Sequence, residues 1–172
     1  GRAHRRRGAC ARAGRAFRPR TPGPAGGGGI NEVTKVAVGA YIRGALTLKD
    51  PKHYLFFTRT SNGKTAAREF LKRLKERTDD RDKAISPISF RRQLKAIHAW
   101  ATQPPSELSS IQQPVLVANG DQDRMVPSSN SVNLARRLPN ARLKLYPDAG
   151  HDGIFQYHED FVEEVLEFLS AA

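Results

Sequence analysis

Acidic side chains follow directly on an apolar run in VLVANGDQDRMVP, residues 115–127. The run shows almost no polar alternation, which predicts a strand covered on both faces, as in a parallel sheet. Because α/β proteins place their chemistry in loops at the carboxyl ends of such strands, Asp121 and Asp123 are candidate functional residues. A second strand-like run, RLKLYP, leads into the loop DAGHDG, which holds His151. An imidazole titrates near neutral pH, so a carboxylate beside it suggests a group that accepts and returns a proton.

The segments around these residues predict one strand–helix–strand unit. PSSNSVNLARRLPNA indicates a helix over about residues 129–138, between the two strands. Neighbouring parallel strands, joined by a right-handed crossover, place their carboxyl ends at the same edge of the sheet. The aspartate loop should therefore lie beside His151. A closing amphipathic helix is predicted over residues 159–170, with five apolar side chains facing inward: Phe161, Val162, Val165, Phe168 and Leu169.

Four helices are predicted before the first strand. Apolar spacing indicates helices over residues 31–46 and about 63–77, and the Asp-Pro pair at residues 50–51 marks a helix start ahead of KHYLFF. The fourth is the clearest, because Ser86 can cap it, Pro87 suits its first turn, and apolar residues recur at helical spacing. TQPPSELSSIQQP then ends the helical region.

The first 29 residues form a basic, low-complexity arm. Only four of them are not Gly, Arg, Ala or Pro, so the arm cannot build a core and is predicted to be disordered. The formal charge of the whole chain is +12, and residues 1–20 hold eight arginines and no acid. Residues 21–172 then hold 21 basic and 17 acidic residues, an ordinary net charge of +4. The arm is interpreted as a solvated segment, with a nucleic-acid or anionic-lipid contact as the alternative.

Cysteine content and hydropathy narrow the class of protein further. Cys10 is the single cysteine, which excludes an internal disulfide and a cysteine-based zinc cluster. No apolar run approaches the roughly 18 residues of a membrane span. We therefore expect a cytoplasmic protein with no membrane contact, no metal and no cofactor.

PVLVANGDQDRMVP followed by LPNARLKLYPDAGHDGIFQYH resembles the C-terminal part of α/β-hydrolase-fold enzymes, in particular esterase-like and cofactor-free haloperoxidase-like members. The resemblance matches Asp123 to the acid and His151 to the base of a Ser-His-Asp triad. It also implies three regions: a basic arm over residues 1–29, a helical cap over residues 30–104, and an α/β core segment over residues 105–172. The expected fold class is α/β, a βαβ unit plus closing helix with a cap insertion.

The chain departs from the family pattern at the nucleophile. That serine stands in Gly-x-Ser-x-Gly, upstream of the cap, and the 172 residues contain no such motif. The segment most similar to this motif surrounds Cys10, but an arginine occupies the position of the last glycine. RAHRRR precedes the segment, where a hydrophobic strand is required. The oxyanion donors belong to the same missing half. The chain alone is therefore expected to be inactive, and the complete enzyme to act on a small hydrophobic ester-like substrate.

Two other classes of function stay open at this point. The chain could be a non-catalytic remnant or interaction module that keeps the tail of the fold. It could also be a basic protein that binds nucleic acid through the arginine arm. An Asp123–His151 pair would favour the hydrolase, whereas salt-dependent retention on DNA, lost on deletion of residues 1–20, would favour the third class.

Several neighbouring residues have a structural and a functional interpretation. Asp121 is expected to accept backbone N–H bonds in its turn. Asp152 is expected to be a surface charge, the alternative being that it raises the pKa of His151. Acidic residues suit a helix start, so that explanation is preferred to metal ligation for His158, Glu159 and Asp160. His98 and Trp100 are interpreted as core residues of the cap, with substrate contact as the alternative. Phe155 and Tyr157 are expected to pack beneath the histidine loop.

Only two strands are convincing, which has a physical consequence. The strand at residues 115–119 would present an unpaired apolar edge, and such edges pair with other chains. The isolated chain is therefore predicted to aggregate or to lack fixed packing.

Overall fold

The computed structural model describes residues 30–81, 85–104 and 106–171. The basic arm and Cys10 lie outside the described residues. Within the described part, no helix is both long and apolar enough to cross a membrane.

In the described part of the chain, four helices precede the first strand, as the sequence predicts. The elements of these residues in chain order are α1 (Ile30–Thr47), α2 (Lys52–Leu55), α3 (Ser61–Glu76), α4 (Pro87–Ala101), β1 (Val115–Gly120), α5 (Ser128–Arg137), β2 (Ala141–Tyr146), α6 (Gly153–Gln156) and α7 (His158–Ala171). The short helix α6 was not predicted, because a single turn inside a glycine-containing loop carries no periodicity.

Side-chain caps fix where two of the helices begin. Thr60 precedes α3, and its hydroxyl accepts a hydrogen bond from the Gly63 backbone N–H at 3.0 Å. Ser86 does the same for α4 through Ser89 at 3.1 Å, and Pro87 takes the first helical position. Each cap satisfies a backbone donor that has no partner within its helix.

The two strands form a parallel pair that runs in register from Val115 opposite Ala141 to Gly120 opposite Tyr146. α5 connects them and packs on both. Buried Leu108, Val117 and Leu138 form the core beneath this unit. The α/β fold class predicted from the sequence is confirmed, and both strands end at one edge of the sheet.

A second apolar cluster lies within the helical region. Phe57, Ala66, Ala67 and Phe70 are buried together, so the segment after α2 packs against one face of α3. The opposite face of α3 carries lysine and arginine, as expected for an amphipathic helix.

The inward face predicted for α7 is partly wrong. Val162 and Leu169 are 54% and 64% exposed, whereas the buried residue of the helix is Glu164. Its carboxylate lies 2.7 Å from Arg142 Nε and 3.2 Å from Lys144 Nζ, both on β2. Because β2 presents two cations to this helix, the side of α7 that faces the strand buries an acid that the predicted inward face did not include.

Core positions were also predicted for two residues of α4, and this prediction is wrong. His98 and Trp100 are both exposed, and no residue of α4 is buried. α4 contacts α1 through Phe90, whose ring meets Tyr41 edge-on at 5.4 Å between centroids. Phe90 is itself only partly buried, so this ring contact leaves most of α4 exposed.

Candidate active site

Asp123 is a buried carboxylate held by its own loop. The residue is 6% exposed, and its Oδ1 accepts hydrogen bonds from the backbone N–H groups of Met125 at 2.8 Å and Val126 at 2.9 Å. An aspartate that bonds the backbone two and three residues ahead fixes its own rotamer. Its second oxygen is left for another partner.

That partner is His151. The imidazole Nδ1 lies 2.9 Å from Asp123 Oδ2, although the two residues are 28 positions apart. The Asp123 side chain is almost fully buried, whereas a third of the His151 side chain is exposed. The ring therefore connects a buried negative charge to the surface of the described fold. Asp123 and His151 are hereafter the Asp–His pair.

Close backbone contact brings the two loops together. A Cβ at Gly120 would lie 2.2 Å from the carbonyl oxygens of both Ala149 and Gly150, so no larger residue fits there without separating the loops. The Gln122 backbone N–H donates to the Ala149 carbonyl at 2.9 Å. Asp121 accepts the Ala149 backbone N–H at 3.3 Å. Asp121 thus bonds a backbone N–H as expected, but it joins the two loops instead of closing its own turn.

The corner before α3 also packs on the histidine loop, which sequence reasoning missed. The Phe56 ring lies 5.9 Å from the imidazole, and the Phe56 carbonyl accepts the Asp152 backbone N–H at 3.1 Å. Asp148 has a left-handed φ of 48°, and its Oδ2 accepts hydrogen bonds from Thr60 at 2.8 Å and Asn62 at 3.2 Å. The Pro-Asp pair in YPDAG is a turn signal, from which the turn conformation of Asp148 could have been predicted. Nothing in the sequence identified Phe56.

Asp152 is buried, so the expectation of a surface charge is wrong. It is 7% exposed; its backbone N–H donates to the Phe56 carbonyl, and its own carbonyl accepts the backbone N–H groups of Phe155 and Gln156. Its Oδ2 has no hydrogen-bond partner among the described residues. Burial raises the pKa of Asp152 to about 6, an effect that the His151 cation opposes and the Asp123 charge reinforces.

Opposing effects act on the imidazole. Burial lowers the pKa of His151, but the hydrogen bond and charge of Asp123, together with the charge of Asp152, raise it. The net result is a pKa above the ordinary value of 6.5. The environment therefore favours the protonated ring, which is what a group that temporarily holds a proton requires.

The remaining candidates lie away from the Asp–His pair. Phe155 is half exposed and packs on Phe70 of α3, 5.6 Å between centroids, so its predicted place beneath the loop is wrong. Tyr157 stacks on Tyr146 at 5.2 Å and donates its hydroxyl to the Pro147 carbonyl, where the histidine loop begins. Glu159 and Asp160 occupy the first turn of α7. Across the described ranges, no three His, Cys, Asp or Glu side chains are grouped as metal ligands.

Comparison with known proteins supplies the family. The sequence model of the alpha/beta hydrolase fold matches residues 42–156. The chain belongs to the α/β-hydrolase fold family. The structure of an alpha/beta hydrolase fold protein from Chitinophaga pinensis superposes with a TM-score of 0.72 at 36% identity, covering 84% of this chain and 53% of that one.

Curated relatives of this hydrolase-fold chain include enzymes of several kinds. A putative carbamate hydrolase, RutD, from Caulobacter sp. (strain K31) is 39% identical over 85 residues, which are 49% of this chain and 31% of the relative. A pimeloyl-[acyl-carrier protein] methyl ester esterase from Nitrosomonas europaea is 37% identical over 57 residues, 33% of this chain and 23% of the relative. The chain thus spans about half of the matched solved structure, and the alignments cover under a third of these curated relatives.

Proposed function

We propose that Asp123 and His151 are the acid and base of a Ser-His-Asp triad that hydrolyses ester-type or related bonds in the complete enzyme. The observation that carries the proposal is the 2.9 Å contact between His151 Nδ1 and Asp123 Oδ2. The other oxygen of Asp123 is already held by two backbone N–H groups, so the carboxylate is fixed before it meets the ring.

This arrangement suits proton transfer. With Nδ1–H donated to Asp123, the neutral ring keeps its lone pair on Nε2, where it can accept the proton of an attacking hydroxyl. The raised pKa of His151 means that the resulting imidazolium is stabilised by the carboxylates around it. The ring then returns that proton to the leaving group, and a second cycle with water releases the acid.

The nucleophile belongs to the part of the enzyme that this chain lacks. No Gly-x-Ser-x-Gly occurs in the 172 residues, and the donors of the oxyanion hole come from the same region as that motif. Loss of the nucleophile removes about 10⁶ of turnover in a triad enzyme. The chain alone is accordingly inactive.

Residues 30–104 act as a helical cap in this proposal, and residues 105–172 as the core segment. The cap borders the proposed site through Phe56, whose ring lies beside the imidazole. An apolar ring at this position favours a small hydrophobic acyl or alcohol group next to the reacting bond. The Nitrosomonas europaea relative is named for a methyl ester, in which the alcohol part is a small apolar group.

A fluorophosphonate probe, which labels activated serines, tests the proposal. The chain as it stands should remain unlabelled, and the DNA upstream should encode Gly-x-Ser-x-Gly in frame. Labelling of this chain by the probe would contradict the prediction that the chain alone is inactive. An upstream reading frame that continues the fold without any nucleophile would favour the non-catalytic remnant instead.

A further inference from the structure

A basic cavity lies apart from the Asp–His pair. It has a volume of about 390 Å³ and lies between α2, the residues before it and the outer face of α3. Five basic side chains line it: Lys49, His53, Lys64, Arg68 and Lys75. No residue of the aspartate or histidine loops borders this space.

The permanent cations of the cavity are not neutralised. Asp50 is the acidic residue that lines the cavity. Its carboxylate already pairs with Lys52, whose ammonium lies at 3.2 Å and whose backbone N–H donates at 2.9 Å. Arg68 gives one N–H to Thr65 at 2.8 Å. Among residues 30–81, 85–104 and 106–171, no carboxylate lies within ion-pair distance of Lys49, Lys64, Arg68 or Lys75.

His53 adds a buried donor to this wall. The residue is 9% exposed, and its ring makes no hydrogen bond to any described residue. It packs edge-on against Tyr54, 5.0 Å between centroids. Burial lowers the pKa of His53, and the positive charges of Lys49, Arg68 and Lys64 lower it further. The ring is therefore kept neutral, with one N–H free to donate to an anion.

We propose that this cavity binds a phosphate monoester with an apolar organic group. Four permanent cations and one carboxylate leave a formal charge of +3. A carboxylate ligand would offset one unit, whereas a phosphate dianion offsets close to two and offers three oxygens to the lysine and arginine donors. The Tyr54 ring and Leu71 complete the wall and contact the organic group. The volume lies within the range of small-molecule sites, about 300–1,000 Å³.

The probes are phenyl phosphate and inorganic phosphate, titrated by calorimetry into the complete gene product near pH 8, where the phosphate is a dianion. Phenyl phosphate should bind with a Kd below about 1 mM, and inorganic phosphate about fivefold more weakly, because it cannot contact Tyr54 and Leu71. The NMR signals of the His53 ring should shift as phenyl phosphate is added, which assigns the binding to this cavity.

Three variants locate the binding. Lys64→Gln and Arg68→Gln should each weaken phenyl phosphate about fivefold or more, whereas Lys72→Gln, which removes the same charge from an exposed position of α3 outside the cavity, should change the Kd less than about twofold. Equal losses in all three variants would mean that phenyl phosphate responds only to the net positive charge of the surface, and would overturn the proposal of a specific site. Equal affinity for the two probes, or no binding at about 10 mM, would overturn the proposed ligand. His151→Gln should bind phenyl phosphate normally, so this test stands apart from the hydrolase proposal.

Discussion

Replacing Asp123 by Asn tests the electrostatics of the Asp–His pair directly. The change keeps an oxygen for the N–H groups of Met125 and Val126, but it replaces the carboxylate oxygen 2.9 Å from His151 Nδ1 by an uncharged amide NH2, which donates instead of accepting. A hydrogen bond to a charged group contributes about 1.5–3 kcal/mol, and one pH unit corresponds to about 1.36 kcal/mol. The His151 pKa should therefore fall by roughly one to two units, because the burial that lowers it remains.

The assay is an NMR titration of the histidine ring protons of the complete gene product, with His151 assigned by the loss of its signal in His151→Gln. Two further variants remove the same charge nearby. Asp152→Asn should lower the His151 pKa by a smaller amount, since Asp152 is the weaker of the two carboxylates that raise it. Asp121→Asn should leave the pKa almost unchanged, because Asp121 bonds the Ala149 backbone instead of the ring. An effect of Asp121→Asn as large as that of Asp123→Asn would refute the reasoning.

Three more predictions follow from the fold. The Asp152 carboxyl should titrate near pH 6, well above an ordinary aspartate, when its ¹³C signal is followed by NMR; a midpoint near 4 would contradict its burial. Gly120→Ala should increase the rate of limited proteolysis at the two loops, since its Cβ would lie 2.2 Å from two carbonyl oxygens, whereas Gly39→Ala, with open space around it, should not. The isolated chain should scatter more light as its concentration rises, because β1 pairs only with β2 among the described residues; a monomer with a sharp, reversible unfolding transition would oppose this prediction.

The sequence predicted the parts of the fold that depend on local pattern. An unbroken apolar run gave β1, and Ser86 with Pro87 located the start of α4. The proximity of Asp123 and His151 followed from topology, because neighbouring parallel strands end at the same edge. These inferences need no knowledge of which side chain touches which.

Predictions that depended on tertiary neighbours were less successful. Glu164 is buried on α7 because Arg142 and Lys144 lie on the facing strand. The pattern of apolar residues in α7 cannot predict this, since it depends on side chains of another element. Asp152 was expected to be a surface charge, yet its backbone N–H donates to the Phe56 carbonyl and the residue is buried. Phe56 lies 96 positions before Asp152 in the chain, so no local sequence pattern indicates that the two residues are in contact.

The most direct test of the central claim is the labelling rate of the complete gene product with a fluorophosphonate. If Asp123 orients and stabilises the His151 imidazole during catalysis, Asp123→Asn should slow labelling of the serine by a factor on the order of 10⁴, the loss that the corresponding change causes in a serine protease. Asp121→Asn should label at close to the wild-type rate. Labelling of Asp123→Asn at the wild-type rate would contradict the assignment of these two residues as acid and base.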